Sequence, residues 1–261
     1  MQIDLGDKVA VITGAGRGIG RNIALSLARE GAHVVACDVN GDDIASVASE
    51  LTAIDPASRS YTCDVRDAER IAEVLDDAHA ALGSIDILVN NAGVVGDALI
   101  DELDERTWDF IQDVNVKGTF LMCKAVTPYM KKQGAGRIIN AASFAAISPR
   151  VRSVAYATSK AAVAHFTRGL AGELGPWNIT VNAYAPGMIP TQMNHFTELP
   201  EGEQRELLDT LTLRRWGSTD DIANLICFLA SDQASYITGS LIDVSGGKLA
   251  TQIPSEAYQA N

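Results

Sequence analysis

A serine, a tyrosine and a lysine in the second half of the chain have residue types and a spacing suited to acid–base chemistry. Tyr156 and Lys160 are four positions apart, so a helix would place both side chains on the same side. A phenol with a pKa of about 10 is a poor base at neutral pH, but a nearby ammonium group favours the phenolate and lowers that pKa. Ser143 supplies a hydroxyl that could orient a substrate oxygen. The three side chains together predict proton transfer to or from an alcohol or a ketone.

A glycine-rich segment near the N-terminus, TGAGRGIG at positions 13–20, follows a short β-branched run. Glycines let the backbone turn tightly and approach a phosphate closely. The N-terminus of a following helix presents free N–H groups and the positive end of the helix dipole. This pattern between a strand and a helix predicts a turn that holds the pyrophosphate of a dinucleotide. The residues expected to contact the cofactor in this turn are Gly14, Arg17, Gly18, Ile19 and Gly20.

Further candidate cofactor contacts follow the next three predicted strands. Asp38 ends the second strand, where a carboxylate can bind the adenosine ribose. Asp64 and Val65 follow the third strand, and Asp64 could hydrogen-bond the adenine. The fourth strand ends in the sequence NNAG, whose expected contacts are Asn91, Ala92 and Gly93. Because ligands of open α/β sheets bind at the carboxyl edge of the strands, these residues predict one cofactor site along that edge.

The elements that must position these side chains alternate regularly along the chain. Strands are predicted at 8–12, 33–37, 86–89, 137–140, 179–184 and 241–244, with one more ending at Cys63. Helices are predicted at 18–30, 41–54, 67–82, 107–132, 153–174 and 220–230. This alternation indicates a single α/β domain over 1–261, a Rossmann-type doubly wound parallel sheet of about seven strands with helices on both faces. The irregular segment 186–217, with a short helix near 202–211, predicts a substrate-binding lid loop.

The composition excludes several classes of function. A net charge of −12 repels a phosphate backbone, so nucleic-acid binding is not expected. Apolar runs are too short to cross a bilayer, and the N-terminus has no apolar signal core. The four cysteines form no CxxC motif and predict free, buried thiols in a reducing compartment, so we expect a cytoplasmic protein without a membrane partner. The four histidines are scattered, so no metal site is expected.

With these motifs, the sequence closely resembles the classical short-chain dehydrogenase/reductase family from about Leu5 to Gly247. The segment TGAGRGIG is similar to the glycine turn of that family, and NNAG to its fourth-strand motif. Asn115 in DVNVKG, Ser143, Tyr156 in YATSK and Lys160 match its catalytic tetrad. TGSLIDVSGG at 238–247 resembles its last strand and turn. The segment that holds the nicotinamide carboxamide is matched by Pro186, Gly187, Ile189 and Thr191.

The resemblance implies a role for each residue of the tetrad. Tyr156 would act as general acid in reduction and as general base in oxidation. Lys160 would lower the pKa of Tyr156 and bind the nicotinamide ribose, and Ser143 would hydrogen-bond the reacting oxygen. Asn115 would hold a water molecule that links Lys160 to solvent as a proton relay. A homotetramer is also implied, in agreement with predicted helices that carry apolar residues on more than one side, namely Phe120, Met122, Val163 and Phe166.

These observations predict an NAD-dependent oxidoreductase that transfers a hydride between NAD(H) and a small-molecule secondary alcohol or ketone. Asp38 favours NAD, since it would repel the 2′-phosphate of NADP. Arg17 supports the alternative of an NADP-dependent 3-oxoacyl-type reductase. A non-catalytic nucleotide-binding regulator on the same fold is a further alternative, against which the intact tetrad argues. A methyltransferase would give no reason for YATSK or NNAG.

The substrate class stays open among sugars, polyols, hydroxy acids and acyl thioesters. The residues expected to contact the substrate are Val95, Phe144, Met188 and His195. Further candidates by position are Val94, Ala145, Met193 and Phe196. Arg150 and Arg152 could recognise an anionic substrate, although exposed loop arginines are more often solvated.

Overall fold

The computed structural model describes residues 3–194 and 196–258, in which strands and helices alternate. The strands are β1 Val9–Thr13, β2 His33–Asp38, β3 Arg59–Thr62, β4 Ile87–Asn90, β5 Gly136–Ala141, β6 Ile179–Pro186 and β7 Leu241–Val244. The helices are α1 Gly18–Arg29, α2 Gly41–Ile54, α3 Ala68–Leu82, α4 Glu105–Gln112, α5 Thr119–Gln133, α6 Val154–Leu174, α7 Glu201–Leu208 and α8 Thr219–Ala230. The predicted elements agree with these within a few residues, apart from one helix described below.

The strands form one parallel seven-stranded sheet in the order β3-β2-β1-β4-β5-β6-β7. The order reverses at β1, which pairs with β2 on one side and with β4 on the other. At its end, Thr13 is level with Cys37 on β2 and with Asn90 on β4. Such a switch point, outside the carboxyl ends of the strands, is where open α/β sheets bind ligands. The predicted doubly wound parallel sheet is confirmed.

Two hydrophobic layers cover the two faces of this sheet. Side chains along a strand point alternately to opposite faces, and β1 shows this directly. Ala10 and Ile12 belong to one layer, and Val9 and Val11 to the other. Helices α1, α2 and α8 contribute to the first layer, whereas α3, α5 and α6 contribute to the second. All four cysteines are free and buried, as predicted.

Helix α1 begins differently from the helices that have side-chain caps. Asn40 accepts hydrogen bonds of 3.0 and 3.1 Å from the first-turn amides of α2, and Asp67 caps α3 in the same way. At the start of α1, Arg17 forms no side-chain hydrogen bond with the first turn. The first-turn N–H groups of α1 are therefore left for another acceptor.

The predicted helix over 107–132 is wrong as a single helix. Residues Asp113–Gly118 form a π-helical segment between α4 and α5. A π-helical turn contains one residue more than an α-helical turn and changes which side chains share a face. Asn115 lies inside this segment, where its main-chain carbonyl accepts a hydrogen bond of 2.8 Å from the Thr119 hydroxyl. A periodic apolar pattern does not reveal an insertion of this kind.

Candidate active site

A cleft of about 390 Å³ runs along the carboxyl edge of the sheet across the switch point. Its volume lies in the range of small-molecule sites. The predicted residues that line it are Gly14, Arg17, Gly18, Ile19, Gly20, Asp38, Asp64, Val65, Asn91, Ala92, Gly93, Ser143, Tyr156, Lys160, Pro186, Gly187 and Thr191. The topology therefore brings together residues that are up to about 180 positions apart in the sequence. Asn115 and Ile189 lie outside the lining residues.

The glycine-rich turn leaves no space for a side chain at Gly14 or at Gly20. Gly14 has a φ of +63°, and a Cβ there would come within 2.8 Å of the Cα of Ala92. A Cβ on Gly20 would lie 2.0 Å from the carbonyl oxygen of Gly14. Together with the uncapped N–H groups of α1, this tight turn fits the pyrophosphate of a dinucleotide, because a backbone without side chains allows close approach.

Hydrogen bonds to the glycine turn and to the start of α2 fix the Asp38 carboxylate. Its Oδ2 accepts from the Gly16 amide at 2.8 Å, and its Oδ1 accepts from the Asn40 amide at 2.9 Å. A carboxylate oxygen can accept more than one hydrogen bond, so Asp38 can also accept from ribose hydroxyls. Arg17 lies 3.8 Å from Asp43, and its side chain is 63% exposed.

Asp64 lies at the same end of the cleft, but its carboxylate is already paired. The Arg66 side chain donates to both Asp64 oxygens, at 3.0 Å and 2.6 Å. The hydrogen bond from Arg66 lowers the pKa of Asp64, so the carboxylate is ionised at neutral pH. Arg66 also lies over the Phe110 ring, at 5.3 Å from its centroid. Arg66 and Phe110 also line the cleft and were not predicted from the sequence.

A set of hydrogen bonds joins the glycine turn to β4 and β6. The Thr13 hydroxyl accepts from the amides of Asn91 and Ala92, each at 3.1 Å. The Asn91 side chain donates to the carbonyls of Thr13 and Gly14 at 3.2 and 3.1 Å. Tyr184, which is fully buried in β6, donates to Asn91 Oδ1 at 3.0 Å. Tyr184 lines the cleft and was missed, because a tyrosine in a buried strand gives no sequence signal of its partner.

Helix α6 places Tyr156 and Lys160 on the same side, as their spacing predicts. Lys160 Nζ lies 5.8 Å from the centroid of the Tyr156 ring and donates a hydrogen bond of 2.8 Å to the carbonyl of Ala141. An ammonium group has three N–H donors, so Lys160 can also donate to hydroxyls of a bound ribose. Burial lowers the pKa of Lys160 to about 8.

Burial has the opposite effect on Tyr156. It raises the pKa of the phenol, and hydrogen bonding with the Ser143 hydroxyl opposes only part of this rise. The net pKa of Tyr156 is raised because desolvation of the phenolate dominates, and the predicted lowering contribution of Lys160 stays a prediction. The phenol is protonated at neutral pH, which is the form that a general acid needs. Ser143 is itself oriented by the amide of Ala145, which donates to its hydroxyl at 3.1 Å.

Asn115 supports the wall of the cleft from behind. Its side chain accepts from the Val94 amide at 2.8 Å and donates to the Val94 carbonyl at 2.9 Å and to the Ser159 hydroxyl at 2.9 Å. A Cβ on Gly93 would lie 3.2 Å from Asn115 Oδ1 and 3.3 Å from Lys160 Nζ. The backbone of Gly93 therefore packs closely against both of these side chains. The relay water of Asn115 stays a prediction.

The predicted substrate residues are only partly brought together. Val94 and Met193 line the cleft, whereas Val95, Phe144 and Met188 do not. Met188 is buried and lines a second, smaller crevice, so its contact with the substrate stays a prediction. The remaining candidate, His195, lies outside the described residues.

Two other candidate residues have partners of their own. The Phe196 ring stacks on Trp216, with centroids 5.5 Å apart. The Phe144 ring lies 5.9 Å from Lys248 Nζ.

Over residues 3–194 and 196–258, no group of three His, Cys, Asp or Glu side chains is placed to hold a metal ion. None of the helices in these ranges has the length and apolar character needed to cross a membrane.

Comparisons with known proteins agree with this geometry. A family model described as short chain dehydrogenase matches residues 8–201. A 3-oxoacyl-(acyl-carrier-protein) reductase of Thermotoga maritima is 41% identical over 240 residues, which cover 92% of this chain and 97% of that protein. A short-chain type dehydrogenase/reductase from Mycobacterium marinum has a TM-score of 0.87 at 35% identity, over 96% of this chain and 98% of its own. An NAD+-bound xylitol dehydrogenase has a TM-score of 0.89 at 31% identity, and the match covers 93% of this chain and 99% of that protein.

Proposed function

The chain is an oxidoreductase of the short-chain dehydrogenase/reductase family, and on that premise we propose that it interconverts a secondary alcohol and a ketone with NAD(H). The observation that carries this proposal is that one cleft is lined by both the candidate catalytic residues and the candidate cofactor residues. Ser143, Tyr156 and Lys160 lie at one end, and the fixed carboxylate of Asp38 lies at the other. The glycine turn between these ends fits a pyrophosphate, so a dinucleotide can span the distance between them.

The side chains of this site perform the proton chemistry. In reduction, the protonated phenol of Tyr156 donates its proton to the carbonyl oxygen, which Ser143 orients. In oxidation, the same phenol oxygen accepts the proton of the alcohol. Lys160 holds the nicotinamide ribose through its free N–H donors, and its charge stabilises the phenolate that remains after proton donation. A bound nicotinamide supplies or accepts the hydride, so the protein needs to supply only position and protons.

NAD is the preferred cofactor in this proposal because of the charges at the adenosine end. Among residues 3–194 and 196–258, the hydrogen-bond partners of Asp38 are the amides of Gly16 and Asn40, neither of which is a cation. A 2′-phosphate would meet this carboxylate directly, whereas the two ribose hydroxyls of NAD can donate to it. Arg17, the cation available to a phosphate, lies 3.8 Å from Asp43 and is partly neutralised by it.

The second candidate is an NADP-dependent 3-oxoacyl-type reductase. One specific observation favours it, namely the name and the 41% identity of the Thermotoga maritima relative, which this chain matches over nearly its whole length. The residues that move the proton would be the same. The two candidates differ in the adenosine end of the cleft and in the substrate, so both differences can be measured separately.

The decisive experiment measures kcat/KM with NADH and NADPH for a panel of ketones and for a 3-oxoacyl thioester, with the corresponding alcohols and NAD+ in the reverse direction. We expect turnover of the panel with a preference for NADH. Preferential reduction of the thioester with NADPH would favour the second candidate. Binding of NADH without turnover of any panel member would favour a regulatory protein.

Three further properties belong to this proposal. A homotetramer would cover Phe120, which is 44% exposed on α5, and light scattering at micromolar concentration would test it. The segment 186–217 would act as a lid, so cofactor should protect it from proteolysis. The buried free cysteines favour the reducing cytoplasm as its compartment, which fractionation of cells would test.

A further inference from the structure

Arg150 and Arg152 are engaged by carboxylates of another loop. Arg150 pairs with Asp97. Arg152 pairs with the same Asp97 at 3.0 Å and with Glu102 at 3.0 Å. Two cations and two anions thus form one neutral cluster of four side chains, called here the loop clamp. The guanidinium groups are thus paired with carboxylates, and neither of them lines the cleft.

The loop clamp joins the two walls at the substrate end of the cleft. Asp97 follows Val94, which lines the cleft, in the segment after β4. Arg152 precedes α6, the helix that carries Tyr156. The same two segments are also joined through the backbone, because the Ala98 amide donates to the Arg152 carbonyl at 2.9 Å.

The backbone of Arg152 has a conformation that needs support. Its φ is +73°, in the left-handed region that non-glycine residues rarely adopt. The ion pairs with Asp97 and Glu102 hold the side chain of this residue, and the Ala98 amide holds its carbonyl. An isolated exposed ion pair contributes little to stability, but here three pairs share their members with a backbone hydrogen bond. Their joint effect is to fix one loop against the other.

We propose that Asp97 and Arg152 are positioning residues that fix the spacing between the two substrate-end walls of the cleft, and so determine how tightly the substrate is bound. The proposal rests on the function proposed above only in assigning that end of the cleft to the substrate. The adenosine end, with Asp38 and Asp64, lies outside the clamp, so cofactor affinity should not depend on it.

The test compares Asp97→Asn, Arg152→Gln and the double variant with the wild type. The matched control is Glu73→Gln, because Glu73 pairs with Arg70 on the surface of α3, at 2.9 Å, and neither residue lines the cleft. Hydrogen exchange is followed in peptides that cover 94–103 and 147–153. The KM for the neutral ketone ethyl 3-oxobutanoate and the Kd for NADH are measured in parallel.

Each single variant should speed exchange of the Ala98 amide and raise the KM for the ketone by about 3- to 10-fold, with the Kd for NADH within about twofold. The effect of the double variant should be smaller than the sum of the two single effects, because both single variants remove the Asp97–Arg152 pair and differ only in the pairs with Arg150 and Glu102. Unchanged Ala98 exchange, additive effects, or an equal rise of the NADH Kd would overturn the proposal. The exchange measurement needs no turnover, so it decides on the clamp even if the ketone is not reduced.

Discussion

The Tyr184 hydroxyl donates a hydrogen bond of 3.0 Å to Asn91 Oδ1, and this bond connects β6 with the glycine-rich turn. The side-chain nitrogen Nδ2 of Asn91 in turn donates to the carbonyls of Thr13 and Gly14, which belong to the end of β1 and to the turn. The orientation of the Asn91 side chain is therefore fixed from both ends. A flipped side-chain amide would place Asn91 Oδ1 against the carbonyl oxygens of Thr13 and Gly14, so these carbonyls select the orientation and Tyr184 stabilises it by donating to Oδ1.

Replacing Tyr184 by Phe should weaken cofactor binding. The substitution keeps the ring but leaves Asn91 Oδ1 without this donor, a loss that costs about 1–2 kcal/mol for a partly buried polar atom. We expect the Kd for NADH to rise by about 5- to 20-fold, as measured by fluorescence titration. The control is Tyr129→Phe, which removes a surface hydrogen bond to Asp76. A Kd within twofold of the wild type would show that Tyr184 does not support the turn.

Replacing Tyr156 by Phe should abolish turnover and leave cofactor binding nearly intact. The ring stays in place, but the proton that the carbonyl oxygen receives is gone. Loss of a general acid lowers rates by about 10²- to 10⁴-fold. A rate assay combined with calorimetric titration of NADH measures both quantities. Tyr236→Phe is the matched control, since that side chain is fully exposed. Substantial residual activity would exclude Tyr156 as the proton donor.

The pH dependence of ketone reduction should be governed by Lys160. Burial lowers its pKa to about 8, whereas burial raises the pKa of Tyr156, so the lysine loses its proton first as the pH rises. Above this pH the charge that stabilises the phenolate disappears. We expect kcat/KM, which reports on the free enzyme, to be level below pH 8 and to fall above it with loss of one proton. A profile that stays level through pH 10 would contradict this assignment.

Replacing Asp38 by Ser should reduce the preference for NAD over NADP. Two unit charges about 4 Å apart repel by roughly 4 kcal/mol at an effective dielectric of about 20, and solvent and Arg17 offset part of this. The wild type should therefore prefer NADH by about 30- to 1,000-fold in kcat/KM, and the variant by much less. Measurements at fixed ionic strength compare both cofactors. Asp42→Ser, outside the cleft, is the control for a general loss of negative charge. Equal use of NADPH by the wild type would show that Arg17 governs the site.

The sequence predicted the sheet and the cofactor end well, for a physical reason. Buried parallel strands are short β-branched runs, and the residues that follow them must lie at one edge, so Asp38 and Asn91 could be placed from local pattern alone. The glycine turn was equally predictable, because its requirement for small residues is local.

Other features depend on contacts between distant segments. The partner of Tyr184 is set by the order of β1, β4 and β6, and the pairing of Arg152 with Asp97 by the meeting of two loops. The net rise of the Tyr156 pKa could not be predicted because it depends on burial, which the spacing of Tyr156 and Lys160 does not encode. The burial of Met188 was equally beyond the sequence, since it follows from the packing of its segment.

The π-helical segment Asp113–Gly118 makes the site dependent on the number of residues as well as on their identity. Each residue rotates an α-helix by about 100°, and a π-helical turn accommodates one additional residue. Deletion of Lys117, whose side chain is 56% exposed, would remove no buried group. It would nevertheless allow α4 and α5 to merge into one regular helix and turn Asn115 away from Val94 and Ser159. A single-codon deletion at this surface position should therefore be more damaging than any substitution of Lys117.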